Sequence, residues 1–223
     1  MVLGDYQSSQ AAVDDADSAR RERWGRDVIH CPYCHGWEVR DQALGVLAGG
    51  PMAVHQALLF RQLTSDVILF THTAPALTDE QAEQLAARAI RVIDGRVAGM
   101  EITDDQLTGI RMTDGTVVPR QALVVGAPMV ACSEVLVSLG LQPKPHPMGM
   151  GEFIPADGAG LTDVPGVWVA GNVTDLSATV IGAAAQGVAA AAAINADLVA
   201  EDTRLAVNLL RNPGAPMSSL SSR

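Results

Sequence analysis

The residues with the clearest chemical potential are His30-Cys31-Pro32-Tyr33-Cys34-His35-Gly36-Trp37-Glu38. Two thiols stand at i and i+3, the spacing of a redox dithiol. In the first turn of a helix such a pair closes a small disulfide with little movement of the chain. Helix N-terminal amides and a neighbouring histidine lower the pKa of one thiol in such a turn. Pro32 at the first helical position favours the turn. Cys31 and Cys34 are therefore the candidate redox pair, and His35 is a candidate acid–base group, since histidine exchanges protons near neutral pH.

Other chemistries use the same letters. Cys-x-x-Cys-His attaches c-type haem, which requires export, and no signal peptide is visible. A zinc site needs four ligands, and no second Cys-x-x-Cys pair is present. Cys-Pro-Tyr-Cys is also the glutaredoxin tetrapeptide, but glutaredoxins are about half this length and place a strand before the motif, whereas the lead-in here is not strand-like. Two cysteines that merely pack are a fourth reading. Cys132, the third cysteine, reads as a buried structural residue.

The elements that must position the dithiol follow it. Ala43 to Ala53 is an apolar run ending in a glycine turn, and a helical pattern spans Met52 to Leu63. Asp66 to Thr71 is a short buried strand. In this β-turn-α-β unit, backbone amides at the helix start can meet a pyrophosphate, making Gly49, Gly50 and Ala53 candidate nucleotide-binding positions. Against G-x-G-x-x-A, the first glycine is Ala48. The strand end offers Thr71, His72 and Thr73 rather than an acid for a ribose or an arginine for a 2′-phosphate.

Thr78-Asp79-Glu80-Gln81 is a capping box, predicting a helix to about Ala89. Ile90–Ile93 is a short strand, and Arg96–Ile102 and Leu107–Thr113 are paired strands. Asp114-Gly115 is a turn before Thr116-Val117-Val118, and Leu123-Val124-Val125 closes the unit. Pro143, Pro145 and Pro147 mark a loop, and Phe153-Ile154-Pro155 a short strand. Val164 to Val173 reads as a turn, a strand and a small-residue switch. A long Ala-rich helix from about Ala178 to Leu210, with a break near Glu201, ends at Asn212-Pro213-Gly214.

The 223-residue chain is 48% hydrophobic, enough for a sizeable core. A net charge of -10 without a basic block argues against nucleic acid and anionic membrane surfaces as partners. No uninterrupted apolar run reaches membrane-span length. Three cysteines, two paired by spacing, suit a reducing cytoplasm with one catalytic dithiol. The expected fold class is α/β. Residues 1–19 and 212–223 are expected to be disordered, 20–130 to form a dithiol-bearing nucleotide-binding-like domain, and 131–211 a second unit, which the family resemblance given next implies to be part of a flavin domain.

The order of dithiol, glycine-turn βαβ unit, meander, and Gly166-Val167-Trp168-Val169-Ala170-Gly171-Asn172 before a long helix resembles the low-molecular-weight thioredoxin reductase family. The likeness covers Trp24 to Arg211. It implies a Rossmann-like nicotinamide-binding domain plus the C-terminal part of an FAD-binding domain. It also implies that Cys34 faces the flavin as the charge-transfer thiolate and Cys31 attacks the substrate disulfide. His35 stands where the family has an acid. Gly171-Asn172 takes the place of a Gly-Asp that holds the flavin ribityl chain, and Thr179 that of a flavin-contacting Gln. Nothing before Trp24 resembles the family's N-terminal FAD-pyrophosphate unit, and the NADP-reading arginines are replaced.

The resemblance implies an FAD-linked thiol–disulfide oxidoreductase moving electrons from NAD(P)H to a disulfide of a thioredoxin-like protein or a small molecule, as a homodimer. Cys-Pro-Tyr-Cys-His-Gly-Trp-Glu and the altered nicotinamide site also resemble a branch of flavin-dependent dithiol oxidases that pass electrons to oxygen. A further expectation is a non-catalytic half-flavoprotein or a subunit of a split reductase.

Overall fold

The structure is a computed structural model that describes residues 22–50, 52–126, 131 and 133–212. The disorder expected for 1–19 and for most of the tail, and the structural role of Cys132, lie outside the described residues. The chain divides into two compact units between 127 and 128.

The first unit is built on a five-stranded parallel sheet. Its strands are β1 (Val28–Ile29), β2 (Leu44–Leu47), β3 (Val67–Phe70), β4 (Arg91–Ile93) and β8 (Ala122–Val125), in the order β1-β8-β2-β3-β4. β2, β3 and β8 are buried at every position, as in a sheet covered on both faces. Successive side chains alternate between two cores. Leu44, Val46, Val67, Leu69, Ala122 and Val124 pack with α2 (Ala53–Phe60), through Phe60, and with Leu85 of α3 (Asp79–Ala87). Leu47, Ile68, Phe70, Leu123 and Val125 face the other way. There they meet Val97, Leu107, Ile110 and Met112 of the antiparallel meander β5 (Val97–Thr103), β6 (Gln106–Met112) and β7 (Val117–Pro119). Gly45 is required by this packing: a Cβ there would press on the Phe70 ring at 2.8 Å.

The capping box forms in full. Thr78 Oγ1 accepts the Gln81 N–H at 3.2 Å, and Gln81 Oε1 accepts the Thr78 N–H at 3.0 Å. The β6–β7 connection is the expected Asp114-Gly115 turn, with Gly115 at φ +88°. One feature differs from the sequence expectation, and two more carry no local signal in the sequence. The lead-in to the dithiol does contain a strand, β1, only two residues long and paired with β8. No period is readable over two residues. The β5–β6 turn is made by Asp104 and Asp105, both at positive φ (49° and 58°), without the glycine that usually marks such a turn. Arg23, in the lead-in to β1, is 6% exposed. It pairs with Asp27 and, at 3.1 Å, with Asp105, fastening the lead-in to that turn.

The second unit contains α4 (Glu134–Ser138), the short antiparallel pair β9 (Lys144–Pro145) and β10 (Glu152–Phe153), a 3₁₀ turn at Gly171–Val173, and α5 (Val180–Arg211). Its core gathers Leu141, Ile154, Val169 and Val173. The proline-marked loop thus contains an edge strand, where Pro145 needs no N–H for the ladder. The strand expected within Val164 to Val173 contracts to one bridge, Trp168 with Leu161, because its neighbours are turn residues rather than an extended strand. α5 runs unbroken through Glu201. Gln186 and Gly187 do not interrupt it, so by length and composition alone α5 could cross a membrane, unlike the sequence reading based on uninterrupted apolar runs.

Candidate functional site

The dithiol stands at the carboxyl edge of the parallel sheet. β1 ends at Ile29, and α1 (Pro32–His35) starts three residues later with Cys31 as its N-cap. The Cys31 carbonyl accepts the Cys34 and His35 amides at 3.3 and 3.1 Å. Gly36 closes the turn on the Pro32 carbonyl at 3.0 Å. A side chain at Gly36 has no room: its Cβ would fall inside contact distance of the Pro32 oxygen and Leu63 Cδ1.

Both thiols are free in this structure, Cys31 half-buried and Cys34 exposed. Cys34 donates its S–H to Cys31. That hydrogen bond, with smaller contributions from burial and the neighbouring sulfur, pushes the Cys34 thiol up to about 11. Cys34 therefore holds its proton harder than an ordinary thiol does. His35 is exposed and its imidazole makes no hydrogen bond to a described residue. Tyr33 and Trp37 are also exposed. The Trp37 ring lies 4.2 Å from the Arg40 guanidinium, and Arg40 Nη1 donates to the Trp37 carbonyl at 2.9 Å.

His30, the first residue of the dithiol stretch, and Gln56, which sequence reasoning did not single out, hold the dithiol lead-in. His30 Nδ1 donates to the Val125 carbonyl at 3.3 Å, its ring stacks near Trp24, and its own carbonyl accepts Gln56 Nε2 at 3.1 Å. Gln56 is buried on α2, one turn beyond the glycine turn. A buried amide on an otherwise apolar helix face was the available signal.

The glycine turn shares the sheet edge with the dithiol, because β1 and β2 both run parallel to β8. A Cβ on Gly50 would meet nothing within 4 Å, and one on Gly49 would only touch the Gly126 carbonyl at 4.0 Å. Neither glycine is demanded by packing or by positive φ. The open space suits close approach of a phosphate to backbone amides. Ala53 is buried, and its amide closes the turn on the Gly50 carbonyl at 3.3 Å. Ala53 therefore shapes the cradle rather than lining it.

In the second unit, Gly171 (φ +79°) donates its N–H to Gln186 Oε1 at 2.7 Å. Gln186 Nε2 donates to Asp175 at 2.9 Å. Hydrogen bonds, chiefly from Ser177, hold the Asp175 carboxyl below its usual range. Thr179 caps α5, its hydroxyl accepting the Gly182 N–H at 3.4 Å. Gly171 and Thr179 are thus committed to the local fold. Half-buried Asn172 makes no side-chain hydrogen bond among the described residues, so its amide offers both a donor and an acceptor to a polar ligand.

Residues 8–191 match the family model described as pyridine nucleotide-disulphide oxidoreductase. The chain belongs to this family. A thioredoxin reductase of Claviceps purpurea, tcpT, is 32% identical over 161 residues, covering 68% of this chain and 48% of its own. Among solved structures, HlmI superposes with a TM-score of 0.78 at 44% identity, over 88% of this chain and 60% of its own. An oxidoreductase from Agrobacterium tumefaciens superposes with a TM-score of 0.71 at 30% identity, over 80% and 58%. The α/β fold and the likeness to thioredoxin reductases are those expected of this oxidoreductase family. The chain spans about half the length of the curated thioredoxin reductases it matches.

Proposed function

We propose that this chain is the dithiol-bearing part of an FAD-linked thiol–disulfide oxidoreductase of the thioredoxin reductase type. Its electrons come from NAD(P)H, and its substrate is a disulfide of a thioredoxin-like protein or a small molecule. The observation carrying this reading is the hydrogen-bonded Cys31/Cys34 pair at the start of α1, on the same sheet edge as an open glycine turn.

The Cys31 thiolate attacks one sulfur of the substrate disulfide, forming a mixed disulfide and releasing one substrate thiolate. Cys34 then loses its proton and attacks Cys31 Sγ, closing the Cys31–Cys34 disulfide and releasing the second thiolate. The substrate gains two electrons and two protons, and the protein dithiol loses them. His35 is the group assigned to carry a proton between the thiols and water. FAD, when bound, supplies the two-electron exchange that restores the dithiol; Asn172 is the side chain assigned to its ribityl chain. The reducing cytoplasm is the compartment proposed, and a homodimer the assembly.

A second reading keeps the dithiol and reverses the flow, from a dithiol substrate to oxygen. Its support is the end of β3, where Thr71, His72 and Thr73 supply no arginine to a nicotinamide coenzyme.

The test begins with the visible spectrum of the purified chain after FAD is added and excess removed. A retained flavin band is expected. Consumption of NAD(P)H with a disulfide acceptor supports the reductase direction; oxygen uptake with a dithiol and no nicotinamide supports the oxidase direction. Cys31→Ser abolishes turnover in both. A chain that takes up no FAD refutes the proposal and leaves a non-catalytic half or a split subunit.

A further inference from the structure

The loop after β4 brings a cation to the end of β3 that the residues following β3 lack. Thr71 donates its N–H to the Ile93 carbonyl at 3.0 Å, and His72 its own to the Gly95 carbonyl at 3.1 Å. In return, Thr71 Oγ1 accepts the Gly95 N–H at 3.2 Å and His72 Nδ1 accepts the Val97 N–H at 3.0 Å. Residues 93–97 are therefore laid along the carboxyl end of β3. His72 Nδ1 is taken up by that bond. Arg96 lies inside this hydrogen-bonded stretch and is exposed, with its carbonyl held by the Thr113 N–H at 2.9 Å. Arg23, Arg26, Arg111 and Arg120 are each paired with a carboxylate. The Arg96 guanidinium has no such pair among the described residues.

We propose that Arg96 reads the 2′-phosphate of NADPH in this chain, in place of an arginine following β3. The inference rests on the Gly49-Gly50 turn being the dinucleotide cradle. A dinucleotide seated on the turn after β2 directs its adenosine ribose toward the end of the neighbouring strand, β3. The 93–97 loop is hydrogen-bonded to that end. A guanidinium matches a phosphate with paired N–H donors and keeps its charge at every working pH. The protein as a whole carries a net charge of -10 and repels a polyanion, so a local cation decides whether the extra phosphate helps or hinders. Exposed Asp94 opposes it from the same loop, which keeps the gain moderate.

The test is calorimetric binding of 2′,5′-ADP and of 5′-ADP to the full chain. The wild-type protein binds 2′,5′-ADP about tenfold tighter, the size of one partly exposed charge-assisted contact. Raised salt shrinks that ratio. Arg96→Gln brings the ratio to about one without changing 5′-ADP affinity. Arg91→Gln, the same charge change at the opposite end of β4, preserves it. Equal affinity for both ligands in the wild type, or a preference that survives Arg96→Gln, overturns the proposal alone. Binding of neither ligand overturns it together with the cradle. The dithiol chemistry is unaffected by either result, because it is read by thiol reactivity without nucleotide.

Discussion

Removing the Cys31 sulfur should make Cys34 more reactive, although half of the redox pair is lost. In the reduced protein the Cys34 thiol is held up at about 11, first by its hydrogen bond to Cys31. At pH 8 only about one part in a thousand is thiolate, against roughly a quarter for an ordinary thiol near 8.5. Cys31→Ala removes the acceptor, and the thiolate fraction rises roughly 200-fold. A thiolate of lower pKa is the weaker nucleophile, and with a Brønsted slope of about 0.45 over about 2.5 units the loss is roughly 13-fold. The net expectation is alkylation of Cys34 by iodoacetamide about fifteenfold faster at pH 8. Peptide mass spectrometry assigns the label to Cys34 rather than Cys132. Above pH 11 the order reverses, because both forms are then ionised and the wild-type thiolate is the more nucleophilic. An unchanged or slower Cys34 rate in Cys31→Ala would refute the hydrogen bond as the cause of the shift.

Two glycines beside the site should respond in opposite ways. Gly36→Ala forces a methyl into the Pro32 carbonyl and Leu63 and should cost about 1–3 kcal/mol of stability by urea melting; a wild-type midpoint would contradict the packing described. Gly50→Ala meets no neighbour, so its stability should stay within a few tenths of a kcal/mol of wild type, while 5′-ADP binding weakens as the methyl occupies the phosphate approach. The Asp105 carboxyl is held below its usual range by hydrogen bonds from Arg26 first and Arg23 second. Its contribution is complete above an unfolded-state value of about 3.9 and disappears as pH falls through the lower folded value. Asp105→Asn, which tolerates the positive φ, should be less stable than wild type at pH 7. It should converge with wild type in acid, and a difference that persists at low pH would show that charge is not the cause.

The parts of this fold legible in sequence are those fixed by local physics. Thr78 and Gln81 satisfy each other's backbone amides wherever the segment goes, so the start of α3 could be placed from four letters. The runs that became β2, β3 and β8 are apolar at every position, because a sheet covered on both faces leaves no polar side to alternate with. Cys31 and Cys34 were legible because their spacing is itself the chemistry. What was hidden depends on partners distant in the chain. Val28–Ile29 is a strand only because β8 lies beside it, and two residues carry no period. Arg23 looks solvated until Asp105, on the far side of the meander, closes over it. Gln56 is an ordinary helix residue until the His30 carbonyl arrives above it.

The nicotinamide side of the site makes the same point in terms of function. A sequence fingerprint assigns the ribose-reading residue to the strand that follows the glycine turn, and Thr71-His72-Thr73 leaves that position without charge. In a parallel sheet, however, the surface met by a ligand is the row of strand ends, to which each neighbouring loop contributes. The hydrogen bonds from Gly95 and Val97 to Thr71 and His72 place the β4 loop on that row. The side chains at the end of β3 serve as anchors for the loop, and the loop carries Arg96. Loss of charge at one strand end therefore does not establish loss of the coenzyme, because the adjoining loop can supply the charge. Whether Arg96 does so decides between NADPH and NADH, while the direction of electron flow is read separately by NAD(P)H consumption and oxygen uptake.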